Sequence, residues 1–595
     1  MALLSCAEEA LLNDEMTVSE DLSGEKSVLT RSSSIKTYES LPNPYALKVM
    51  QKVYDTYSEK KVALKATDLY VKFMPKDSLE LHRLKYDYNL ELFDYPLDIE
   101  LDYDEVYVNP ELPEGDLMWV YTTVKPNFVF PSGISYEILE ECYIPEDGET
   151  VGIPTKVGEE VYVEDAAFAL LGYDEDASIG TRAAASPQGT IRVYDNDNGL
   201  YVPVKGVKVR CHRWVKWAST HTNEDGSYTM SQSFRYKPHY ALVFDNVKDF
   251  DIWGNWGPIA RANYNMGWHS NTGYSVDIKD NSYAWKWAAV NNAAYEYYNM
   301  CEQTGILKPP AKLKIWVWAN VIGGSAPMLR RINDAIGYNG NCSIENFFIN
   351  IFYGMTATLL NQILKVVLPD ITIGMLENDK STMNYGRVFQ TVNHELAHAS
   401  HFSKVGSSYW AKYISYIMTY GAYGGNGSGK NAQLCAIGEM WGFFMGYAQA
   451  AEKYESHIKD FYAVDGWIYP RVFWDIFRCK ILTKKQIYDC LTPDVATYNG
   501  LVSKLFTLYP NRATDIKAIF DAYPEINHNV SLPGDVFIEN RTIASSTTIS
   551  GKNIIVQNST VCNGATLILN AGTAITINRP FTVEKGSTLL MTKGN

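Results

Sequence analysis

The chain has 595 residues, with 53 Lys+Arg against 68 Asp+Glu and a formal net charge of -15. One hydrophobic core does not grow to this size, so roughly three to five domains are expected. The acidic balance, without a compact basic patch, argues against nucleic acid as a partner, and no run of eighteen apolar residues is present to span a membrane.

Tyrosine (42) and tryptophan (14) are abundant, which fits large aromatic-lined domains. The nine cysteines show neither metal-ligand nor small-scaffold spacing. Cys301 with Cys342, or Cys479 with Cys490, are the pairings open to them; otherwise they read as small buried hydrophobes.

In chain order, Met1-Ala2-Leu3-Leu4-Ser5-Cys6 resembles the end of a bacterial lipoprotein signal, where a short apolar run and a small residue precede the cysteine that takes the lipid. That resemblance implies a secreted or outer-membrane, cell-surface lipoprotein touching the membrane only through Cys6. The rest of residues 1–38, polar and rich in Ser and Glu, reads as a flexible tether.

Residues 39–182 read as an α/β accessory module, with a helix over Pro44 to Tyr57 and strands around Leu117–Tyr121 and Glu160–Val163. The acidic tract Asp98–Asp104 alternates carboxylates with apolar residues, the pattern of a half-exposed strand rather than of a calcium site. Over residues 187–250 short strands and the Asp225-Gly226 turn resemble a transthyretin-like or carboxypeptidase-regulatory-like β-sandwich, which implies packing or adhesion rather than chemistry.

Residues 251–525 form the largest unit. A helix from Tyr283 to Tyr298, a strand Leu313–Trp318, helical periodicity over 352–367 and a short strand Asp370–Gly374 lead into a further helix. In residues 531–595, Gly564–Leu569 recurs as Gly586–Met591, which reads as a small β-solenoid, with a compact β-sandwich as the alternative. The fold class expected is therefore multidomain α+β.

The chemistry concentrates in His394-Glu395-Leu396-Ala397-His398. Residues four apart share a helix face, so both imidazoles can hold one metal ion while Glu395 reaches a water beside it. One helix cannot surround an ion, and a catalytic zinc takes three protein ligands. The best candidate for the third is Glu439, a lone carboxylate in the apolar helix Ala436–Tyr447, costly there unless paired or metal-bound.

Together these residues resemble the gluzincin branch of the zincin metallopeptidases, the thermolysin-like architecture. The resemblance implies His394, His398 and Glu439 as zinc ligands and Glu395 as general base. Phe443 stands where thermolysin's second motif carries an aspartate, so another residue must support His394. The metzincin pattern fails, because Lys404 and His401 occupy its third-histidine and glycine positions. His401, about 10 Å along the helix from His394 at roughly 1.5 Å per residue, reads as lining the cleft or as ordinary surface.

Of Tyr409, Tyr413, Tyr416, Tyr420 and Tyr423, the last two, beside the Gly424–Gly429 loop, are favoured as donors to a developing oxyanion. The expected function is zinc-dependent hydrolysis of protein or peptide substrates by a monomer. The alternative is a catalytically silent zincin-fold surface protein acting in binding or adhesion. The overall organisation is similar to large surface lipoproteins of Bacteroidota.

Overall fold

Runs rich in β-branched and aromatic residues, such as Val207–Arg213, His239–Asn246 and Leu313–Ile322, supply the strands of one large central sheet. The computed structural model describes residues 38–593 apart from 60, 113–116, 153–159, 174–182, 255–260, 337–367, 421–426, 455–465, 527–529, 531 and 533. The tether, Cys6, Cys342, the 352–367 periodicity, Tyr423 and the first half of the glycine loop lie outside the described residues. What is described is a multidomain α+β architecture.

In the N-terminal module, α1 (Leu47–Tyr57) buries Val49, Met50 and Val53. Beside it lies an antiparallel sheet of β1 (Asp68–Met74), β2 (Val120–Val124) and β3 (Ser135–Cys142), ordered β2-β1-β3. Thr150–Gly152 (β4) pairs with Glu160–Tyr162 (β5), and the expected strand stops there because Val163 opens the helix α2 (Val163–Leu170). The acidic tract buries Ile99 and Leu101 and exposes Asp102 and Asp104, as its alternation implies, yet it is not a strand. A turn closed from Glu105 N to Asp102 O, and the Asn265 side chain bonded to Asp102 O, hold it as irregular chain.

The central region contains β6 (Gln188–Asp195), β7 (Leu200–Pro203), β8 (Val207–Arg213), β9 (Lys216–His221), β10 (Ser227–Thr229), β11 (His239–Asn246), β12 (Phe250–Trp253), β13 (Asn263–Trp268), β14 (Val276–Ile278), β15 (Leu313–Ile322), β16 (Gly324–Ser325) and β17 (Ile371–Leu376). An eight-stranded sheet runs β16-β17-β15-β12-β11-β8-β9, with β13 on β11; a smaller sheet runs β10-β6-β14, with β7 on β6. The boundary expected at residue 250 falls inside the large sheet. There β12 pairs antiparallel with β11 and parallel with β15, so strands from both sides of that boundary share one ladder.

Between β14 and β15 runs α3 (Tyr283–Thr304), capped by the Ser282 side chain and ended by Gly305 at φ 76. Buried on nearly every face, it packs against both sheets and the next long helix, α4 (Tyr385–Val405). After α4 come α5 (Ser407–Tyr420) and α6 (Ala432–Ala451).

The C-terminal strands β18 (Val536–Glu539), β20 (Thr547–Gln557), β22 (Thr566–Ile577) and β24 (Thr588–Lys593) make one parallel sheet, and β19 (Thr542–Ile543), β21 (Ser559–Val561) and β23 (Phe581–Val583) a second. The two sequence copies lie side by side in register, Thr566 opposite Thr588 and Leu567 opposite Leu589. Ile538, Ile554, Val556, Val561, Leu567 and Leu569 form their shared core.

Cys142, Cys211, Cys301, Cys435, Cys490 and Cys562 are buried free thiols and Cys479 is exposed and free, so the pairing of Cys479 with Cys490 is not made. Among the described residues no helix is long and apolar enough to cross a membrane.

Candidate metal centre

The first turn of an α-helix leaves backbone N–H groups without intrahelical partners, and three side chains satisfy them at the start of α4. Asn384 caps it by accepting from Arg387 N at 2.9 Å. In the turn between β6 and β7, Asn196 Oδ1 accepts from Tyr385 N at 2.8 Å and Asp197 Oδ2 accepts from Gly386 N. A carboxylate at this end also complements the helix dipole. Further along, Ser400 receives the Tyr297 hydroxyl on its side chain and the Tyr488 hydroxyl on its carbonyl, and Trp441 Nε1 donates to Ala397 O. The register of α4 is thus fixed by α3, by α6 and by Tyr488.

The approach of α6 to α4 depends on glycine at every fourth position. A Cβ on Gly442 would lie 2.7 Å from Nε2 of both His394 and His398; one on Gly446 would lie 3.0 Å from Gln390 O; one on Gly438 would meet the Tyr413 ring at 2.7 Å. At Gly442 and Gly438 no larger residue fits without displacing an imidazole or the Tyr413 ring, and at Gly446 the α4 backbone would have to give way slightly. The spacing Gly438-x-x-x-Gly442-x-x-x-Gly446 is readable in the sequence as one stripe of a helix, and it is the signal that motif reading passes over.

This close packing brings the chemistry together. His394, Glu395 and His398 are buried and offer ligand atoms within 4.8 Å of one another, a cluster able to hold a metal ion. The two Nε2 atoms are 2.9 Å apart. Glu439, from α6, places Oε2 3.5 Å from His394 Nε2 and 3.6 Å from His398 Nε2, while its Oε1 accepts the Tyr413 hydroxyl. Two carboxylates therefore adjoin the imidazole pair. Glu395 lies against the sheet edge, where a Cβ on Gly324 of β16 would stand 2.6 Å from its Oε1.

Phe443 sets its ring edge-on to His394, with centroids 4.7 Å apart, so an aromatic wall stands beside that imidazole. His398 packs against Trp410 and Tyr413, which stack on each other at 4.5 Å. Trp410 Nε1 also donates to Ala326 O, tying α5 to the chain leaving β16.

Burial pushes the His394 imidazole down to about 4, against the hydrogen bond to Glu439, so it is neutral at physiological pH. Burial alone would raise Glu439, but the two imidazoles at its Oε2 outweigh this and hold the carboxyl well below its usual range. A neutral imidazole at His394 and an ionised carboxylate at Glu439 are protonation states in which such side chains bind a metal.

The chain matches no protein-family model, no curated protein and no solved structure.

The favoured oxyanion donors fare differently from their neighbour. Tyr420 is exposed, with its ring against Tyr416 and beside Gly429, and Tyr423 lies outside the described residues. Tyr413 donates to the site carboxylate Glu439, while Tyr409 donates to Val495 O. His401 is 0% exposed, which excludes the ordinary-surface reading, and its ring packs on Tyr409 and Trp410.

Proposed function

We propose that the protein is a zinc-dependent peptidase in which His394, His398 and Glu439 hold the metal and Glu395 acts as general base. The observation that carries this reading is the convergence of Glu439 Oε2 on both Nε2 atoms, at 3.5 and 3.6 Å. Two zinc–nitrogen bonds of about 2.0–2.1 Å at a tetrahedral angle hold their nitrogens roughly 3.4 Å apart. The Nε2 atoms, at 2.9 Å, need open by only a few tenths of an ångström, and Gly442 leaves the space beside them free of any Cβ. Two imidazoles and one carboxylate, with a position left for substrate or water, are the donor set of a hydrolytic rather than a structural zinc.

Bound zinc would supply Lewis acidity, lowering the pKa of a water molecule and polarising a scissile carbonyl. Glu395, adjacent to His394, takes the proton from the attacking water and delivers it to the departing amine. Glu439 stays ionised and is oriented through Oε1 by Tyr413. Phe443, Trp410 and Tyr413 exclude bulk water from the imidazoles, which strengthens each polar interaction in the site. Substrates would be proteins or peptides.

The burial of Glu395, at 0% exposure, favours a second reading in which the metal is bound in a catalytically silent protein. Peptide-library digestion by the full chain and by Glu395→Gln separates the two. In the peptidase the substitution preserves zinc content and abolishes cleavage; zinc-loaded parent protein that cleaves no peptide would establish the silent reading.

A further inference from the structure

His401 is a fully buried histidine for which the proposed mechanism has no use. It follows His398 by three residues, so the two lie one turn apart on the same side of α4. Both imidazoles rest on one indole: the Trp410 ring centroid is 5.9 Å from that of His398 and 5.7 Å from that of His401. Tyr409 closes the other side of His401 at 5.4 Å.

In this aromatic pocket His398 Nδ1 and both ring nitrogens of His401 have no hydrogen-bond partner among the described residues. Leaving buried polar groups unsatisfied is costly, because their bonds to water are lost and not replaced. A leucine or phenylalanine at 401 would fill the same space without that cost. A metal-bound imidazole that uses Nε2 carries its remaining proton on Nδ1 and needs an acceptor there to fix its tautomer and plane. No direct bond joins the two histidines; a single water between them would accept from one imidazole and donate to the other.

Resting on the zinc reading above, we infer that His401 is a positioning residue, which orients His398 for the metal through a single buried water. Burial keeps the His401 ring neutral, pushed down to about 3, so it has one nitrogen able to accept and one able to donate.

The test compares full-length parent protein, His401→Leu and His401→Gln. Zinc affinity is measured by chelator competition, the visible absorption of the cobalt-loaded protein reports ligand geometry, and melting of the metal-free protein reports the fold. His401→Leu is expected to weaken zinc binding about 10–100-fold and to shift the cobalt bands while metal-free melting holds or rises. His401→Gln, which keeps an acceptor, recovers most of the affinity; His401→Met replaces the leucine variant should that one not fold. Parental affinity and cobalt spectrum in a folded apolar variant, or equal losses in the Gln and apolar variants, would overturn the inference. Parent protein that binds neither metal would overturn the zinc reading as well.

Discussion

The Tyr413 hydroxyl donates to Oε1 of Glu439, leaving Oε2 of the same carboxylate to face His394 and His398. One oxygen is held by α5 and the other is turned toward the imidazoles of α4, so three helices define the site. Removing the phenol frees the carboxylate to rotate and leaves Oε1 buried without its donor. Tyr413→Phe should weaken zinc binding about 10–100-fold, the usual cost of losing a group that orients a ligand. Chelator competition measures it, and unchanged affinity would show that Tyr413 does not orient Glu439.

Gly442→Ala is a sharper steric test. Replacing glycine by alanine inside a helix normally stabilises by about 1 kcal/mol. Here the added Cβ would stand 2.7 Å from both Nε2 atoms. The variant should lose stoichiometric zinc while circular dichroism still reports a folded protein. Retained zinc would mean that the ion does not sit between α4 and α6.

At the start of α4, Asp197→Ala removes the acceptor for Gly386 N. Loss of a capping side chain costs about 1 kcal/mol, with a part from the lost charge at the positive end of the helix dipole. Urea unfolding of the metal-free protein should show a loss of that size. Since residue 197 lies in the β6–β7 turn, the result also reports whether that region supports the metal helix.

A pH dependence follows from a histidine pair far along the sheet. His212 and His239 are cross-strand partners on β8 and β11, both buried, with rings 5.1 Å apart beneath Phe93 and Tyr95. Burial lowers both, His239 to about 3. Each stays neutral in the fold and gains a proton on unfolding below about pH 6.5. The stability they contribute is fully present above that pH and falls by about 1.4 kcal/mol per unit and per histidine as pH drops toward their folded values. Urea titrations between pH 6.5 and 4.5 should show a shallower slope for His239→Phe than for the parent; equal slopes would contradict the assignment.

Local pattern carried much of the site. His394, Glu395 and His398 are legible because a helix repeats every 3.6 residues, and Glu439 because an ionisable group in an apolar helix needs a partner. The choice among the tyrosines was not legible, since Tyr413 and Tyr420 share one helix and only the crossing of α5 with α6 decides which meets Glu439. Nor was the continuity of the large sheet, because β12 pairs in parallel with β15 across some sixty intervening residues and no local feature records that pairing. The cap from Asn196 and Asp197 is equally nonlocal, reaching α4 from 189 residues earlier in the chain. The side-by-side register of β22 and β24, by contrast, follows from a repeat visible in the residues themselves.

The most direct measurement is X-ray absorption at the zinc edge of the metal-loaded full chain. Zinc in a first shell of two imidazole nitrogens plus oxygen at about 2.0–2.2 Å, with one imidazole lost in His398→Gln and zinc binding weakened in Glu439→Gln, is the expected result. A shell of three imidazoles, a sulfur ligand, or a chain that holds no zinc would contradict the centre built from His394, His398 and Glu439.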